Sequence, residues 1–456
     1  MPYKREKASK GGHSDIVKNP DVASFLNECE YMKAPNEKEG KEIAEVFEEA
    51  PLSEDLPEKV VASDASSYSD PIDNRFPSTQ IGYIKVSLVL IDINSYDGLI
   101  SKNSRYVDPV KVAQLHKNAD AIAFTLPGSN IKYKGASTVS NGFRKAVFEQ
   151  YCSQQTEFAN GGDYNLKGTL FALNKIQNES LLEVHKCPAC GYNKNSFTFE
   201  KNIVTTCPSC KEEIYFTDSL RIHEQISDFG SSTSAITRFM NVTEHLIIAT
   251  LIRMLSDKQP DVLSKMAFII DGPLAIFGQP ARIHSRLMKL YYEINKKLQS
   301  MRLNPPIIIG LQKTGQLVEH AEAISKYIKS NTFKIVDDKY RAKYIIGSDS
   351  LGENFGHETY YGQDFIFKSP SGKIFVVGIP YPFSNKHDKS SFVKQKVDIK
   401  LYEKQIARAF NLIRHFEFEL YENAIVPIAL AHRHASISLV PGGKVLDLLS
   451  KSGLVK

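Results

Sequence analysis

A chain of 456 residues is too long for one compact core, so its length predicts two or three units, or one domain with a large insertion. With 42% hydrophobic and 24% charged residues it has the composition of a globular protein, and a net charge of +5 permits nucleic-acid binding without arguing for it. No apolar run approaches the roughly 18 residues of a membrane-spanning helix, and the polar start lacks the apolar core of a secretion signal. We therefore expect a cytoplasmic protein without a membrane partner.

Residues 1–56 are predicted to form an N-terminal helical arm. Residues 1–20 are polar, and residues 21–56 carry many charges at helical spacing. This pattern fits a solvated helix that packs on the body of the protein, and it also fits an arm that binds a partner.

Two strands are predicted next. Residues 57–66 form a short apolar strand that runs into Asp64, and residues 86–91 form a second strand, so the two could pair as an antiparallel hairpin. We expect Asp64 to stand at a strand end. An aspartate there is either a functional carboxylate or a simple turn and cap residue.

Residues 95–218 are predicted to be an insertion, and their last part, 181–218, holds two Cys-x-x-Cys pairs. Sixteen residues separate the pairs, and each pair can present two thiolates from a tight turn, which together close a tetrahedral four-sulfur site. Zinc is the favoured metal; iron in a rubredoxin-like site and no metal are the alternatives. Because protein fills all four positions, the predicted site is structural. Its ligands are Cys187, Cys190, Cys207 and Cys210.

The other two cysteines, Cys29 and Cys152, are isolated in the sequence and are predicted to be buried thiols. This cysteine usage suits a reducing compartment and not a secreted disulfide framework.

Residues 219–256 are predicted to be helical, and Glu244 lies beside the apolar stripe of this segment. A charged residue in this position is either a site carboxylate or an ordinary solvated group. The stripe consists of Phe239, Val242, Leu246, Ala249 and Ile252.

After residue 266 strands and helices alternate, which predicts an α/β sheet covered by helices. The predicted strands are 267–270, 306–310, 373–378 and 425–430, and the predicted helices are 283–298 and 401–416. The first of these strands ends on Asp271, followed by Gly-Pro, and the last leads into His432.

Asp64 and Asp271 are the main candidates for chemistry, because phosphodiester hydrolysis needs carboxylates that converge on divalent ions about 4 Å apart. Oxygen ligands suit Mg²⁺ or Mn²⁺. His432 could be a metal ligand, an acid or base, a phosphate contact or a structural histidine. In an extended chain His434 would share its face, which makes His434 a second possible phosphate contact. Lys313 could neutralise a phosphate or could be a surface lysine.

The sequence lacks a recognisable ATP motor. Gly310 and Gly315 have the spacing of a phosphate-binding loop, but Gln316 stands where that loop needs its lysine. Strand separation, if the function requires it, would have to come from another protein.

Four segments, in this order, resemble motifs of the NurA nuclease family: residues 62–66, 241–246, 269–274 and 427–432. The resemblance covers roughly 57–92 and 219–440 and leaves 95–218 as an insertion. One departure is Ala65, where the family usually has a glycine; alanine disfavours a positive φ.

The resemblance implies an RNase H-like mixed sheet flanked by helices, interrupted by the inserted four-cysteine ribbon and preceded by the helical arm. The nuclease domain would comprise residues 57–94 and 219–456. It also implies a Mn²⁺-dependent DNA nuclease that works as a homodimer with a HerA-like hexameric ATPase, which translocates DNA. Asp64 and Asp271 would bind the metal from adjacent strands, Glu244 would be the third carboxylate, and His432 would complete the site near the scissile phosphate.

We therefore expect an exo- or endonuclease that acts on DNA ends or in defence against invading DNA. The alternative is a catalytically inactive zinc-ribbon adaptor that binds nucleic acid or assembles an ATPase. A third interpretation is a phosphatase that uses the same carboxylates.

Overall fold

The computed structural model describes residues 16–29, 34–73, 75–99, 119–159, 163–176, 180–200, 202–346, 354–417 and 425–437. The polar start of the chain, on which the expectation about secretion rests, lies outside these residues. Among the described residues, no helix has the length and apolarity to cross a bilayer.

The described part of the chain is built on one mixed sheet with the strand order β1-β11-β12-β13-β10-β9-β2-β3-β4. Strands β2, β9 and β10 are parallel neighbours, and the other pairs in the sheet are antiparallel. The strands of the sheet are β1 (Glu48–Glu49), β2 (Lys59–Pro71), β3 (Gln80–Asp92), β4 (Ala119–Pro127), β9 (Met266–Asp271), β10 (Ile307–Gln312), β11 (Thr332–Ile335), β12 (Gly362–Lys368) and β13 (Ile374–Pro380).

Helices cover the sheet, as the alternating pattern predicted. They are α1 (Pro20–Glu28), α2 (Glu37–Ala44), α3 (Ile93–Asp97), α4 (Val139–Tyr151), α5 (Leu166–Lys175), α6 (Thr233–Lys258), α7 (Pro260–Leu263), α8 (Ile283–Ser300), α9 (Gln316–Ile324), α10 (Asp338–Arg341), α11 (Lys389–Gln395), α12 (Glu403–Phe416) and α13 (Val426–Ala435). The mixed α/β class expected from the sequence is therefore confirmed.

Strands β2 and β3 form the predicted antiparallel hairpin, but it is much longer than the sequence suggested. Pairing runs without interruption from Lys59 and Asp92 to Pro71 and Gln80. Asp64 therefore lies in the middle of a strand and not at a strand end, and the turn-and-cap interpretation of this residue is wrong. Ala65 pairs with Val86 inside the ladder, so this position has no need of the freedom of glycine.

The core lies on both faces of β9 and β10, whose residues 266–270 and 307–312 are buried. Helix α8 connects these two parallel strands and turns its predicted apolar side inward. Helix α6 packs across β2 and β3, and the five residues of its predicted stripe are all buried. Burial of these periodic apolar positions is what the pattern predicted, but the helix begins at Thr233 and not at residue 219.

The segment predicted as an insertion contributes to the sheet, because β4 is hydrogen-bonded along β3 as the edge strand. Helix α4 packs against β4. The boundaries at residues 56, 94 and 218 between the arm, the nuclease domain and the insertion remain predictions.

The N-terminal region packs on the body through its second helix. Asn36 caps α2 in a reciprocal capping box with Glu39, and Ile43 is fully buried. Gly40 lies against the ring of Tyr327, where an added Cβ would be only 2.4 Å from ring carbons. In contrast, no residue of α1 is buried.

The chain around His432 is helical, contrary to the strand that we expected. Pro427 stands in the first turn of α13, where its fixed φ favours a helix and its missing N–H costs nothing. The apolar run 425–430 predicts a buried strand, but Ile428, Ala431 and Ala435 are instead buried at helical spacing.

Candidate active site

The parallel strands β2, β9 and β10 bring the candidate residues together. Ser63 pairs with Ile270, so the next residues along the two strands, Asp64 and Asp271, are neighbours on one face of the sheet. Leu311 of β10 pairs with Asp271, which places Lys313 two residues further along on the same face.

Helix α13 covers this face and supplies His432. Its Nδ1 lies 2.6 Å from Oδ2 of Asp64, a contact between residues 368 positions apart in the chain. One ligand atom each of Asp64, Asp271 and His432 all lie within 4.8 Å of one another. The structure therefore unites three of the four residues that the resemblance assigned to the site.

Lys313 completes the cluster on the side of β10. Its Nζ donates to Oδ2 of Asp271 at 2.8 Å and lies 3.9 Å from Oδ2 of Asp64. The Lys313 side chain is 24% exposed, so solvent reaches the ammonium. Lys313 is thus neither an isolated surface lysine nor a fully buried one.

Glu244 lies on the opposite face of the sheet from this cluster. Side chains alternate along β2, so Ser63 points away from Asp64 and toward α6, where its hydroxyl donates to Oε1 of Glu244 at 2.8 Å. Glu244 is buried, contrary to the interpretation that it is an ordinary solvated charge, but it is not among the atoms that converge within 4.8 Å. Its carboxyl is still close enough to the cluster for the charges of Asp64 and Asp271 to raise its pKa and for that of Lys313 to lower it.

Burial is the largest influence on the pKa values of the Asp271 and Glu244 carboxyls. It raises the pKa of Asp271 to about 6; the positive charge of Lys313 opposes this shift and the negative charge of Asp64 reinforces it. Burial also raises the pKa of Glu244 well above its usual range, while the hydrogen bond from Ser63 opposes the shift. Sites that gather negative charge in a partly buried place are where perturbed carboxyls are found in enzymes.

Two residues of this region were not singled out from the sequence. Ser63 holds Glu244, and the only sequence signal for it is its place beside Asp64 in an alternating strand. His245 contacts the hydroxyl of Tyr361 at 2.6 Å in the core, and burial lowers the pKa of His245 to about 4. His245 is therefore a neutral structural histidine.

His434 does not share a face with His432, because positions two apart on a helix differ by about 200° in direction. The expectation of a shared face assumed an extended chain.

The donor set of the cluster fits a divalent cation. An octahedral ion with bonds of about 2.1 Å separates its ligand atoms by roughly 3.0 to 4.2 Å, which small side-chain movements reach from the observed spacing. Two carboxylates and one imidazole are ligands for Mn²⁺ and Mg²⁺, and the imidazole favours Mn²⁺.

The four paired cysteines form a second cluster that can hold a metal ion. Two hairpins, β5 (Glu183–Val184) with β6 (Phe197–Thr198) and β7 (Val204–Thr206) with β8 (Glu213–Tyr215), carry one pair each. In both turns the backbone bonds repeat: Gly191 N–H donates to Cys187 O at 2.9 Å, and Lys211 N–H donates to Cys207 O at 3.0 Å.

The sulfur spacing fits tetrahedral zinc. Cys187 and Cys210 lie 3.7 Å apart, as do Cys190 and Cys207. Four sulfurs at about 2.3 Å from one ion would be about 3.8 Å apart. Of the two isolated cysteines, Cys152 is exposed at the end of α4 and Cys29 is partly exposed, so the prediction that both are buried thiols is wrong.

Among solved structures, the chain is similar to two NurA structures. It matches the NurA nuclease from Sulfolobus solfataricus with 9% sequence identity and a TM-score of 0.35, over 98% of this chain and 97% of that chain. It matches a second structure, described as NurA, with 11% identity and a TM-score of 0.30, over 97% of both chains.

No family model and no curated protein matches the sequence. Both matched structures are described as NurA, the family whose motifs the four segments of the sequence resemble. Because both TM-scores lie below 0.5, neither match assigns a role to an individual residue.

Proposed function

We propose that this protein is a metal-dependent nuclease that hydrolyses phosphodiester bonds in DNA. The convergence of Asp64, Asp271 and His432 on one face of the sheet carries the proposal. A divalent cation held by carboxylates is the usual means of hydrolysing a phosphodiester. The cluster is also accessible, since the His432 side chain is 62% exposed.

Asp64, Asp271 and His432 would hold Mn²⁺ or Mg²⁺, which stabilises negative charge on phosphate oxygens when it is bound. The contact of 2.6 Å between His432 Nδ1 and Asp64 Oδ2 holds the imidazole ring at the cluster. Lys313 supplies a positive charge beside the position of the phosphate. His434 stays a proposed phosphate contact.

For Glu244 we propose a positioning role. Its contact with Ser63 holds the strand that carries Asp64 from the opposite face. To act as the third metal ligand, its carboxyl would have to leave Ser63.

We further propose an RNase H-like core, a homodimer, and a HerA-like hexameric ATPase as the partner that feeds DNA to the site. The absence of a phosphate-binding loop from the sequence supports an external motor. Helix α1 supports a partner surface, since Phe25 and Leu26 are 66% and 59% exposed. DNA end processing and defence against invading DNA are the two settings in which such a pair would act.

The test is cleavage of end-labelled linear DNA with Mn²⁺ or Mg²⁺, with and without the cognate ATPase. We expect Asp271→Asn to lower the cleavage rate roughly 100-fold or more, because the cation loses a charged ligand. The matched control is Asp257→Asn, the same substitution at an exposed aspartate that pairs with Lys297, and it should cleave like the wild type. Equal rates in the two variants would refute the proposed site.

One observation favours the inactive adaptor as the second candidate. The ammonium of Lys313 bridges the two aspartates, as it would in a nuclease site that no longer binds metal. A folded, zinc-loaded protein that neither binds Mn²⁺ nor cleaves DNA would support the adaptor. Turnover of small phosphoesters without action on DNA would instead support a phosphatase.

A further inference from the structure

We propose that Lys313 is an internal counterion of the acidic site, which a divalent cation displaces, and that the displaced ammonium then binds a phosphate group of the nucleic-acid substrate. The inference rests on the proposed function, since it places the cation and the phosphate at the same cluster. It adds that binding of the cation and binding of the phosphate are coupled through Lys313.

The geometry shows where the ammonium lies. Nζ of Lys313 donates to Oδ2 of Asp271 at 2.8 Å and lies 3.9 Å from Oδ2 of Asp64. These are the two carboxylates that lie within 4.8 Å of each other and of His432. The ammonium therefore contacts the carboxylate oxygens that a metal ion would bind.

A metal ion and this ammonium cannot share these oxygens. Asp64 is 7% exposed and Asp271 is 20% exposed in their side chains, so water screens charges at the cluster only partly. A divalent cation bound to both aspartates would repel the positive charge of Lys313 at close range. It would also satisfy the two carboxylates better than one ammonium does, because it carries twice the charge.

The position of Lys313 allows it to move without unfolding the sheet. It follows the last residue of β10 and precedes Gly315, whose φ of +110° is a conformation that favours glycine. The flexible four-carbon stem of a lysine can carry its ammonium several ångströms while the backbone stays in place. A displaced Nζ would stay at the rim of the cluster, where solvent and substrate reach it.

The consequence is that metal and phosphate should bind cooperatively. Without metal, Lys313 is neutralised by its own aspartates and attracts a phosphate weakly. With metal, the same ammonium is released and available to the phosphate. Since coupling between two ligands is reciprocal, the phosphate should also strengthen metal binding.

The first experiment measures Mn²⁺ binding by calorimetry to the full-length, zinc-loaded protein without DNA. The site is defined as the Mn²⁺ binding that disappears in Asp271→Asn. We expect Lys313→Met to bind this Mn²⁺ roughly tenfold more tightly than the wild type, because the competing ammonium is gone. The control is Lys265→Met, which removes a lysine from an exposed pair with Glu58 and should leave Mn²⁺ affinity unchanged.

The second experiment measures binding of a fluorescent, phosphorothioate-linked oligothymidine at several salt concentrations. One ammonium–phosphate contact on a single strand changes the slope of log affinity against log salt by about 0.7. In Mn²⁺ we expect the salt slope of the wild type to be steeper than that of Lys313→Met by this amount. In a metal-free buffer we expect the two slopes to be equal.

The possible outcomes distinguish failure of the Lys313 proposal from failure of the proposed nuclease function. If the wild type has no Mn²⁺ site that depends on Asp271, both the proposed function and the inference fail. If that site exists but Lys313→Met binds Mn²⁺ no more tightly, the proposed function survives and the counterion role is overturned. Equal salt slopes for wild type and Lys313→Met in Mn²⁺ would overturn the phosphate contact.

Discussion

The buried ion pair between Arg144 and Asp218 should fix the cysteine ribbon to the body of the protein. Arg144 lies on α4, which packs on the edge strand β4, and Asp218 lies in the 3₁₀ turn Phe216–Leu220 just after the second cysteine hairpin. Their side chains are only 1% and 2% exposed. We predict that Asp218→Asn strongly destabilises the attachment of the ribbon.

The contacts of this ion pair determine how much stability is lost when the pair is broken. Arg144 donates from Nε to Oδ1 of Asp218 at 2.9 Å and from Nη2 to Oδ2 at 2.6 Å, which is a bidentate pair. It also donates to the backbone oxygen of Glu213 at 2.7 Å, and Asp218 accepts from Tyr215 N–H at 2.9 Å. Removing one charge leaves the other buried and uncompensated, which costs about 3–5 kcal/mol.

The assay is urea unfolding of the zinc-loaded protein. We expect Asp218→Asn to lower the free energy of unfolding by about 4 kcal/mol, and Arg144→Met to lower it by a similar amount. The double variant should cost much less than the sum of the two, because it leaves no unpaired charge.

The control substitution is Glu58→Gln, which breaks the exposed pair with Lys265 at 2.7 Å and should leave the free energy of unfolding nearly unchanged. An Asp218→Asn variant as stable as Glu58→Gln would refute the reasoning, as would additive costs in the double variant.

Three further outcomes follow from buried groups away from the candidate active site. Lys386→Met should lower the free energy of unfolding by about 3 kcal/mol in urea, because the part-buried carbonyls of residues 356, 357 and 360 lose their shared donor; a loss below 1 kcal/mol would contradict this. Burial lowers the pKa of His320 to about 4, below its ordinary 6.5, so the unfolded chain binds the proton more tightly; the stability contribution of His320 is complete above pH 6.5 and declines toward pH 4. Between pH 7 and pH 5 this amounts to about 2 kcal/mol, and His320→Gln should show a correspondingly shallower pH dependence. Cys207→Ser should lose zinc, measured by elemental analysis, and melt at the temperature of chelator-treated wild type; a variant that keeps one zinc per chain would count against the four-sulfur site.

The sequence by itself determined the features that depend on neighbouring residues. The fixed spacing of the cysteine pairs predicted a four-sulfur cluster, and the structure gathers the four residues. The periodic apolar residues of α6 and α8 predicted which sides of these helices are buried. Asp271 stands at the end of β9 as expected, because a short apolar run followed by Gly-Pro leaves a strand few other ways to end.

Local signals failed where two conformations have the same pattern. Asp64-Ala65-Ser66 looks like the end of a strand, but pairing along β3 carries the strand on for seven residues beyond Asp64. The apolar run before His432 fits a buried strand and a buried helix equally well, since short apolar segments do not distinguish the two. Long-range pairing and packing decided both cases.

Only the tertiary structure decided which candidates meet. Asp64 and His432 are 368 residues apart, and no local pattern places a helix over β2 to join them. The same structure holds Glu244 behind the strand, because adjacent residues of a strand point to opposite faces and Ser63 is the one that points toward α6. The sequence of a strand specifies which side chains lie on each face of the sheet. Which residues those side chains contact depends on how the distant helices pack.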